Sequence, residues 1–230
     1  MKILAIIPCY NEEESIKNTI ENLKEKTPDV DFIVVNDGSK DNTHNVCIKN
    51  NYPIIDLPFN LGLTNAVQTG MRYAYNNGYD MALQFDGDGQ HDPVYIPEMA
   101  EKMQDTSADI IIGSRHLQKG SRAGMRGLGQ ILIKFAIRIT TGKKLSDPTS
   151  GMRLYNRKMI EKFAHQMNFG PEPDTLVYLM NNGVNVVETS VTMQERKAGK
   201  SYLTSLNAIN YMLRMLISII IVQWFRIKEK

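Results

Sequence analysis

Asp86-Gly87-Asp88-Gly89-Gln90-His91-Asp92-Pro93 follows a short apolar run, Met81-Ala82-Leu83-Gln84-Phe85, and precedes a helical pattern over residues 94–103. The run has the length of a buried strand, so the carboxylates stand at that strand's carboxyl end, where open α/β sheets bind ligands. Two aspartates one residue apart, with Gly87 and Gly89 beside them, leave backbone and carboxylates free to approach a hard cation together. Oxygen ligands of this kind suit Mg2+ or Mn2+, which keep water and share the rest of their shell with substrate phosphates. Two blander readings compete. An Asp-Gly turn between strands would explain a lone acid pair. A helix-loop-helix calcium loop fails on spacing, because its glycine belongs at position six and its glutamate at twelve, whereas Gly89 is fourth and Pro97 twelfth.

Upstream the chain repeats one pattern. Residues 3–7 form a near-continuous apolar run, as expected of a central parallel strand, and Pro8-Cys9-Tyr10-Asn11-Glu12-Glu13 ends it. Ile16, Ile20 and Leu23 then recur at helical spacing, with Glu12, Glu13 and Glu14 suited to the positive end of that helix. Residues 32–35 predict a second strand ending in Asn36-Asp37-Gly38-Ser39, and Asp41 or Thr43 is placed to cap the next helix. Residues 52–57 predict a third strand, and Asn60-Leu61-Gly62-Leu63 leads into a helix through Ala66, Val67, Met71 and Ala74. Residues 80–85 and 108–112 supply further strands. This alternation predicts an α/β fold, a single wound and mostly parallel sheet flanked by helices.

The 230 residues accommodate one sizeable domain, 1–202, followed by a tail, 203–230. Hydrophobic content of 42% and charged content of 23% are ordinary globular values. Cys9 and Cys47 show no CxxC spacing and read as free thiols of a reducing compartment. The chain starts directly on a strand, without the basic region and apolar core of a secretory leader. A net charge of +2 hides a division: residues 1–113 hold 8 Lys/Arg against 18 Asp/Glu, and residues 114–230 hold 19 against 7. Such asymmetry predicts a basic, partner-facing second half, with nucleic acid and anionic membrane as the usual candidates.

Pro8-Cys9-Tyr10-Asn11-Glu12-Glu13, Asn36-Asp37-Gly38-Ser39, Asn60-Leu61-Gly62 and the 86–93 stretch resemble the successive motifs of family 2 glycosyltransferases. Gly113-Ser114-Arg115, Ser150-Gly151-Met152-Arg153 and Glu195-Arg196-Lys197-Ala198-Gly199-Lys200-Ser201 continue the match, in the family's order, to about residue 205. Several ordered motifs are far more specific than any one alone. The chain is most similar to the branch that includes dolichyl- and undecaprenyl-phosphate sugar transferases. The resemblance implies a GT-A fold, an inverting transfer from a nucleotide-diphosphate sugar (a UDP-sugar by preference) and a divalent cation, Mg2+ or Mn2+. It also implies that Pro8, Tyr10, Glu12, Asp37, Asp86 and Gly87 line the nucleotide pocket. Asp88 would ligate the metal, Asp86 would lie near ribose and metal, and Gln90 would complete the shell. Taken alone, Tyr10 is a packed aromatic and His91 a hydrogen-bonded turn residue; His91 is not assigned as a ligand.

The second half carries the acceptor chemistry. Residues 110–146 contain no acid, whereas Arg115, Lys119, Arg122, Arg126, Lys134, Arg138, Lys143 and Lys144 are basic. Residues 128–141 predict an amphipathic helix with Leu128, Ile131, Leu132 and Phe135 on one face and Gln130, Lys134 and Arg138 on another. A solvated cationic face is the plain reading of such a helix alone. Beside a catalytic cleft, the same pattern describes a helix lying among anionic headgroups. Residues 206–225 form the most hydrophobic window, but Arg214 and Gln223 interrupt it. A free-standing span needs about 20 mainly apolar residues, and a central arginine costs at least ~2.5 kcal/mol. The tail is therefore expected to lie on a membrane or pack on a partner, either a small membrane protein or a second copy. The enzyme is expected as a peripheral protein on the cytoplasmic face of a bacterial-type cell membrane, serving envelope glycan synthesis, with no nucleic-acid partner.

Glycosyl transfer needs a stabilised diphosphate leaving group and a nucleophilic acceptor oxygen. A metal and cationic side chains supply the first, and a hydroxyl acceptor needs a general base besides. A phosphate acceptor, with a second pKa near 6, is already anionic at neutral pH and needs cations to hold it. The acid-free run and apolar helices point to a polyprenyl phosphate such as undecaprenyl phosphate, with Arg115, Arg153, Arg196 and Lys200 as candidate contacts to its phosphate; these four, with Asp86 and Asp88, are the candidate catalytic residues. Gly170-Pro171-Glu172-Pro173-Asp174 keeps the alternative open, a hydroxyl acceptor with Glu172 or Asp174 as base. A nucleotidyltransferase would instead show a glycine-rich loop with a lysine near the first strand, which residues 8–14 lack. A non-catalytic membrane module would have no need of Asp86, Asp88 and Gln90.

Overall fold

The computed structural model of the chain describes residues 1–115, 125–166, 170–194 and 205–222, with backbone alone at 125–128 and 205–209. The elements run β1 (Ile3–Cys9), α1 (Ile16–Lys26), β2 (Val30–Asn36), α2 (Thr43–Lys49), β3 (Ile54–Asp56), α3 (Leu63–Asn76) and β4 (Met81–Gln84). They continue through α4 (Ile96–Asp105), β5 (Ile110–Ser114), α5 (Met125–Thr141), β6 (Arg153–Asn156), α6 (Arg157–His165), α7 (Pro173–Asn181), β7 (Val186–Ser190) and α8 (Ser205–Ile217). A π-helical turn, Ser218–Val222, extends α8.

The seven strands form one sheet in the order β3-β2-β1-β4-β6-β5-β7. Every pairing is parallel except those of β6, which runs antiparallel to both β4 and β5. The α/β, mostly parallel expectation is met. The strands β6 and β7 were not legible as such, because Arg153-Leu154-Tyr155-Asn156 is too short and too mixed to show a period. Two apolar layers sandwich the sheet. Ile16, Ile20, Met99 and Met103 of α1 and α4 pack on one face. Val67, Met71, Ile160, Phe163, Ile133 and Ile137 of α3, α6 and α5 pack on the other.

The winding places the site. The chain moves from β1 outward to β2 and β3, then crosses to β4 on the other side of β1, so strand order reverses between β1 and β4. Such a switch point opens a crevice at the carboxyl ends. Register levels those ends: Cys9 pairs with Asn36, and the Phe85 amide donates to the Ile6 carbonyl. The loops at Tyr10, Asp37 and Asp86 therefore leave the sheet side by side.

The C-terminal helix packs onto the domain. α8 lies on α5, and the π turn lies on α5 and α7. Ile219 is fully buried in the same layer as Ile133 and Ile137. No helix among the described residues is long and apolar enough to cross a membrane.

Candidate active site

The loops after β1 and β2 hold each other. Asn11, with a left-handed backbone (φ 57°), donates its amide to Ser39 Oγ and accepts from the Lys40 amide. The Glu12 amide donates to Thr43 Oγ1, the Glu13 amide to Asp41, and Glu13 accepts from the Asn42 amide. Asp41 Oδ1 accepts from the Thr43 amide at the start of α2. The Glu12 carboxylate accepts from Ser15 Oγ at 2.7 Å. Pro8, Tyr10 and Glu12 all remain partly accessible at this rim. Asp37 sits deeper, at 4% exposure, and its two oxygens accept from the Leu61 and Gly62 amides at 2.7 and 2.8 Å. Its carboxylate thus fixes the loop into α3.

The 86–92 loop is clamped on three sides. The Gly87 carbonyl accepts from Ser15 Oγ and Thr19 Oγ1 on α1. A Cβ on Gly87 would meet Cys9 Sγ at 2.6 Å, so only glycine lets the loop sit there. Gln90 O accepts from the Gln194 amide, which ties the loop to the exit of β7. Asp92 pairs with Lys26 at 2.8 Å. Within the loop, Asp86 Oδ1 accepts from Gln84 Nε2, and Asp88 Oδ1 accepts from the Gln90 amide. His91 is 3% exposed; its Nδ1 accepts from the Asp86 amide, so in the neutral ring Nε2 carries the proton, 3.5 Å from Asp86 Oδ2. Opposite that oxygen lies Gly151, whose Cβ, were it alanine, would fall 2.5 Å from Asp86 Oδ2.

Two sequence-derived cations fare differently. Arg115 follows β5 and stays 35% exposed while gripping Asp147, its Nε donating to Oδ2 at 2.6 Å and its Nη2 to Oδ1 at 2.8 Å. The hydrogen bond to Asp147, then the charges of Asp147 and Asp86, push the guanidinium further above its ordinary value, against its own burial. Arg153 is 1% exposed: Nε donates to the Ser150 carbonyl at 2.9 Å and Nη2 to the Pro148 carbonyl at 2.7 Å. The expectation of a phosphate contact at Arg153 is corrected by its burial. The side chain starts on a strand covered on both faces, and it braces the 147–151 loop from within. Arg196 and Lys200 lie outside the described residues, as do Lys119 and Arg122 and the side chain of Arg126.

The acids considered as bases are both bonded to the C-terminal helix and its extension. Glu172 accepts from Tyr211 OH on α8 at 2.5 Å, and Asp174 accepts from Ser218 Oγ at 2.6 Å and from the Thr175 amide at 2.8 Å. They anchor the C-terminal helix. A groove of about 430 Å3 beside them is lined by Tyr211, Arg214, Met215, Ile217 and Val222. Both cysteines are buried, with Cys9 pushed well up by desolvation and Cys47 to about 11, so neither serves as a nucleophile. Sequence reasoning missed Asp147 and Glu188, which together fix Arg115. The available signal was that Asp147 is the first acid after the acid-free stretch 110–146.

Among the described residues, no three or more His, Cys, Asp and Glu side chains gather into a cation site. The residues the sequence offers as ligands, Asp86, Asp88 and Gln90, lie on one loop and are all partly accessible. That fits a cation whose remaining shell is water and substrate phosphate, and it does not fit a closed cage. The Gln84 amide donates to one oxygen of the Asp86 carboxylate, and the absence of a side chain at Gly151 leaves room for the other.

The family model described as glycosyl transferase family 2 matches residues 4–164. The chain belongs to this family. Among relatives of the family-2 chain, the undecaprenyl-phosphate mannosyltransferase of Micrococcus luteus is 29% identical over 214 residues, covering 87% of each chain. The UDP-N-acetylglucosamine–dolichyl-phosphate N-acetylglucosaminyltransferase of Methanococcus voltae is 29% identical over 212 residues, covering 82% of this chain and 84% of that protein. Glucosyl-3-phosphoglycerate synthase from Mycobacterium tuberculosis, solved with Mn2+, UDP and glucosyl-3-phosphoglycerate, superimposes with a TM-score of 0.69 at 16% identity, over 96% of this chain and 79% of that one. That likeness establishes the fold of this glycosyltransferase.

Proposed function

We propose that this family-2 glycosyltransferase moves a sugar, with inversion, from a UDP-sugar to a polyprenyl phosphate such as undecaprenyl phosphate, in the service of envelope glycan synthesis. The single observation that carries the acceptor is the engagement of Glu172 and Asp174 by Tyr211 and Ser218, beside a basic stretch without acids. An acceptor that arrives as an anion needs no protein base. The relatives named for undecaprenyl and dolichyl phosphate support the same class.

In this reading the loops at Tyr10 and Asp37 hold the nucleotide. Asp86, Asp88 and Gln90 would hold Mg2+ or Mn2+, whose charge would offset that of the departing diphosphate. Arg115, expected from the sequence as a contact of the acceptor phosphate, is assigned here to the donor side, because Asp147 grips it from the loop that also meets Asp86. The acceptor oxyanion attacks C1 from the face opposite the diphosphate. The test is transfer to undecaprenyl phosphate from a panel of UDP- and GDP-sugars. Glu172→Gln and Asp174→Asn, which keep an acceptor for Tyr211 and Ser218, are expected to retain activity within about tenfold. Loss of a general base costs ~100- to 10,000-fold. Erasure of turnover by either amide, with donor binding intact, would replace the lipid phosphate by a hydroxyl acceptor.

The membrane contact follows from α5 and α8. Ile131, Leu132, Phe135 and Ile139 are 45–67% exposed along α5, and Leu213, Ile217, Ile220 and Ile221 are 46–57% exposed along the packed neighbour. Arg138, Lys143, Lys144 and Arg214 are exposed near them. Ile133, Ala136 and Ile137 fill the core from the opposite side of α5. This helix is apolar on two faces, and only one of them is needed for folding. We place the second face in an anionic leaflet, the enzyme being peripheral. Phe135→Glu with Ile139→Glu is expected to lower binding to phosphatidylglycerol vesicles by roughly a hundredfold, from the apolar area withdrawn. Sedimentation equal to wild type would rule this face out.

A further inference from the structure

We propose that Asp147, itself held by Glu188, is the positioning residue that aims Arg115 at the donor's diphosphate. The inference rests on the donor reading above. Asp147 is 0% exposed, and a carboxylate so desolvated is costly unless it is paired and fully hydrogen-bonded. It meets that condition with Arg115: the backbone amide, Nε and Nη2 of that one residue donate to it at 3.1, 2.6 and 2.8 Å. Thr149 Oγ1 adds a contact at 3.3 Å. A grip through Nε and Nη2 fixes the guanidinium plane. The remaining nitrogen, Nη1, makes no hydrogen bond among the described residues, and the side chain stays 35% exposed.

The loop that carries Asp147 also reaches the other charged group of the site. Asp147 begins the segment that ends at Gly151, against the Asp86 carboxylate, and Arg153 braces the segment through the Pro148 and Ser150 carbonyls. One short loop therefore contacts both Asp86 and Arg115, the negative and positive groups expected to flank a metal-bound diphosphate. The charge of Asp86 is felt at Arg115. Glu188 locks the loop in turn, accepting from the Ser146 and Asp147 amides at 2.7 Å each. It stands on β7, whose register with β5 pairs it to Ile112, three residues before Arg115.

A purely structural ion pair would have the same geometry, so the test reads binding. Calorimetry with Mn2+ compares UDP and GDP with UMP and GMP. Asp147→Asn is expected to weaken the preferred diphosphate by about ten- to a hundredfold, as outer partners of ligating groups do. The matching monophosphate should change by less than about twofold, because it does not reach the same contact. Arg115→Ala should show the same loss, and the Arg115→Ala/Asp147→Asn double variant no further loss. Glu188→Gln should move the diphosphate alone by at least about threefold. It carries the test if Asp147→Asn fails to fold. Wild-type diphosphate affinity in folded Asp147→Asn or Glu188→Gln, equal losses for mono- and diphosphate, or additive losses in the double variant would overturn the proposal. If the wild type binds neither UDP nor GDP with Mn2+, the donor reading falls, and this inference with it.

Discussion

Asp88→Ala is expected to lower sugar transfer by at least about a thousandfold while leaving the fold intact. A cation at a transferring diphosphate is worth several kcal/mol of charge stabilisation, and ~4 kcal/mol corresponds to about a thousandfold. Asp88 stands in the loop beyond β4, partly accessible, with Oδ1 accepting from the Gln90 amide. No apolar packing is lost with its carboxylate, so thermal unfolding should shift little. Chelation of the wild type should reproduce the loss, and Mn2+ or Mg2+ should restore activity to the wild type but not to the variant. Full activity in chelator would sink the metal assignment.

Gly151→Ala should come second, at roughly a hundredfold in turnover. A methyl group 2.5 Å from Asp86 Oδ2 must displace that carboxylate, and a shift of about 1 Å in a positioned group costs on the order of a hundredfold. Gly151 does not need a left-handed backbone, so alanine is tolerated by the chain itself and stability should change by less than about 1 kcal/mol. The predicted signature is a folded enzyme with a raised Mn2+ requirement. An unchanged metal dependence would show that Asp86 accommodates the methyl without leaving its place.

The first half of the fold was legible because β1, β4 and β5 are buried on both faces and read as apolar runs, with helices of clear period between the strands. The residues 86–93 announced their position for the same reason, following such a run directly. The second half resisted. β6 holds Arg153, Leu154 and Tyr155, all buried, and an arginine in a basic region reads as a surface cation until its carbonyl partners are seen. β7 is partly exposed and bears Glu188, which hides its period. Asp147 was invisible as a functional residue because its role depends on a partner 32 positions away. Helix α5 was read from the face that meets solvent, Ile131, Leu132 and Phe135. Its core face, Ile133, Ala136 and Ile137, became apparent only from packing. A helix apolar on two faces gives one hydrophobic signal for two destinations.

The reciprocal bonds between residues 11–13 and 39–43 bear on how nucleotide preference changes in such an enzyme. Asn11 answers to Ser39 and Lys40, Glu12 to Thr43, and Glu13 to Asp41 and Asn42. Groups that share hydrogen bonds respond to substitution together, with coupling of 0.5–3 kcal/mol. A change on one loop alone leaves orphaned donors or acceptors on the other, and the penalty masks any gain in base recognition. If these loops hold the nucleobase as proposed, substitutions that redirect the enzyme from one base to another are accessible mainly as matched sets drawn from both loops, and libraries that vary one loop at a time will sample variants already handicapped by the loop held constant.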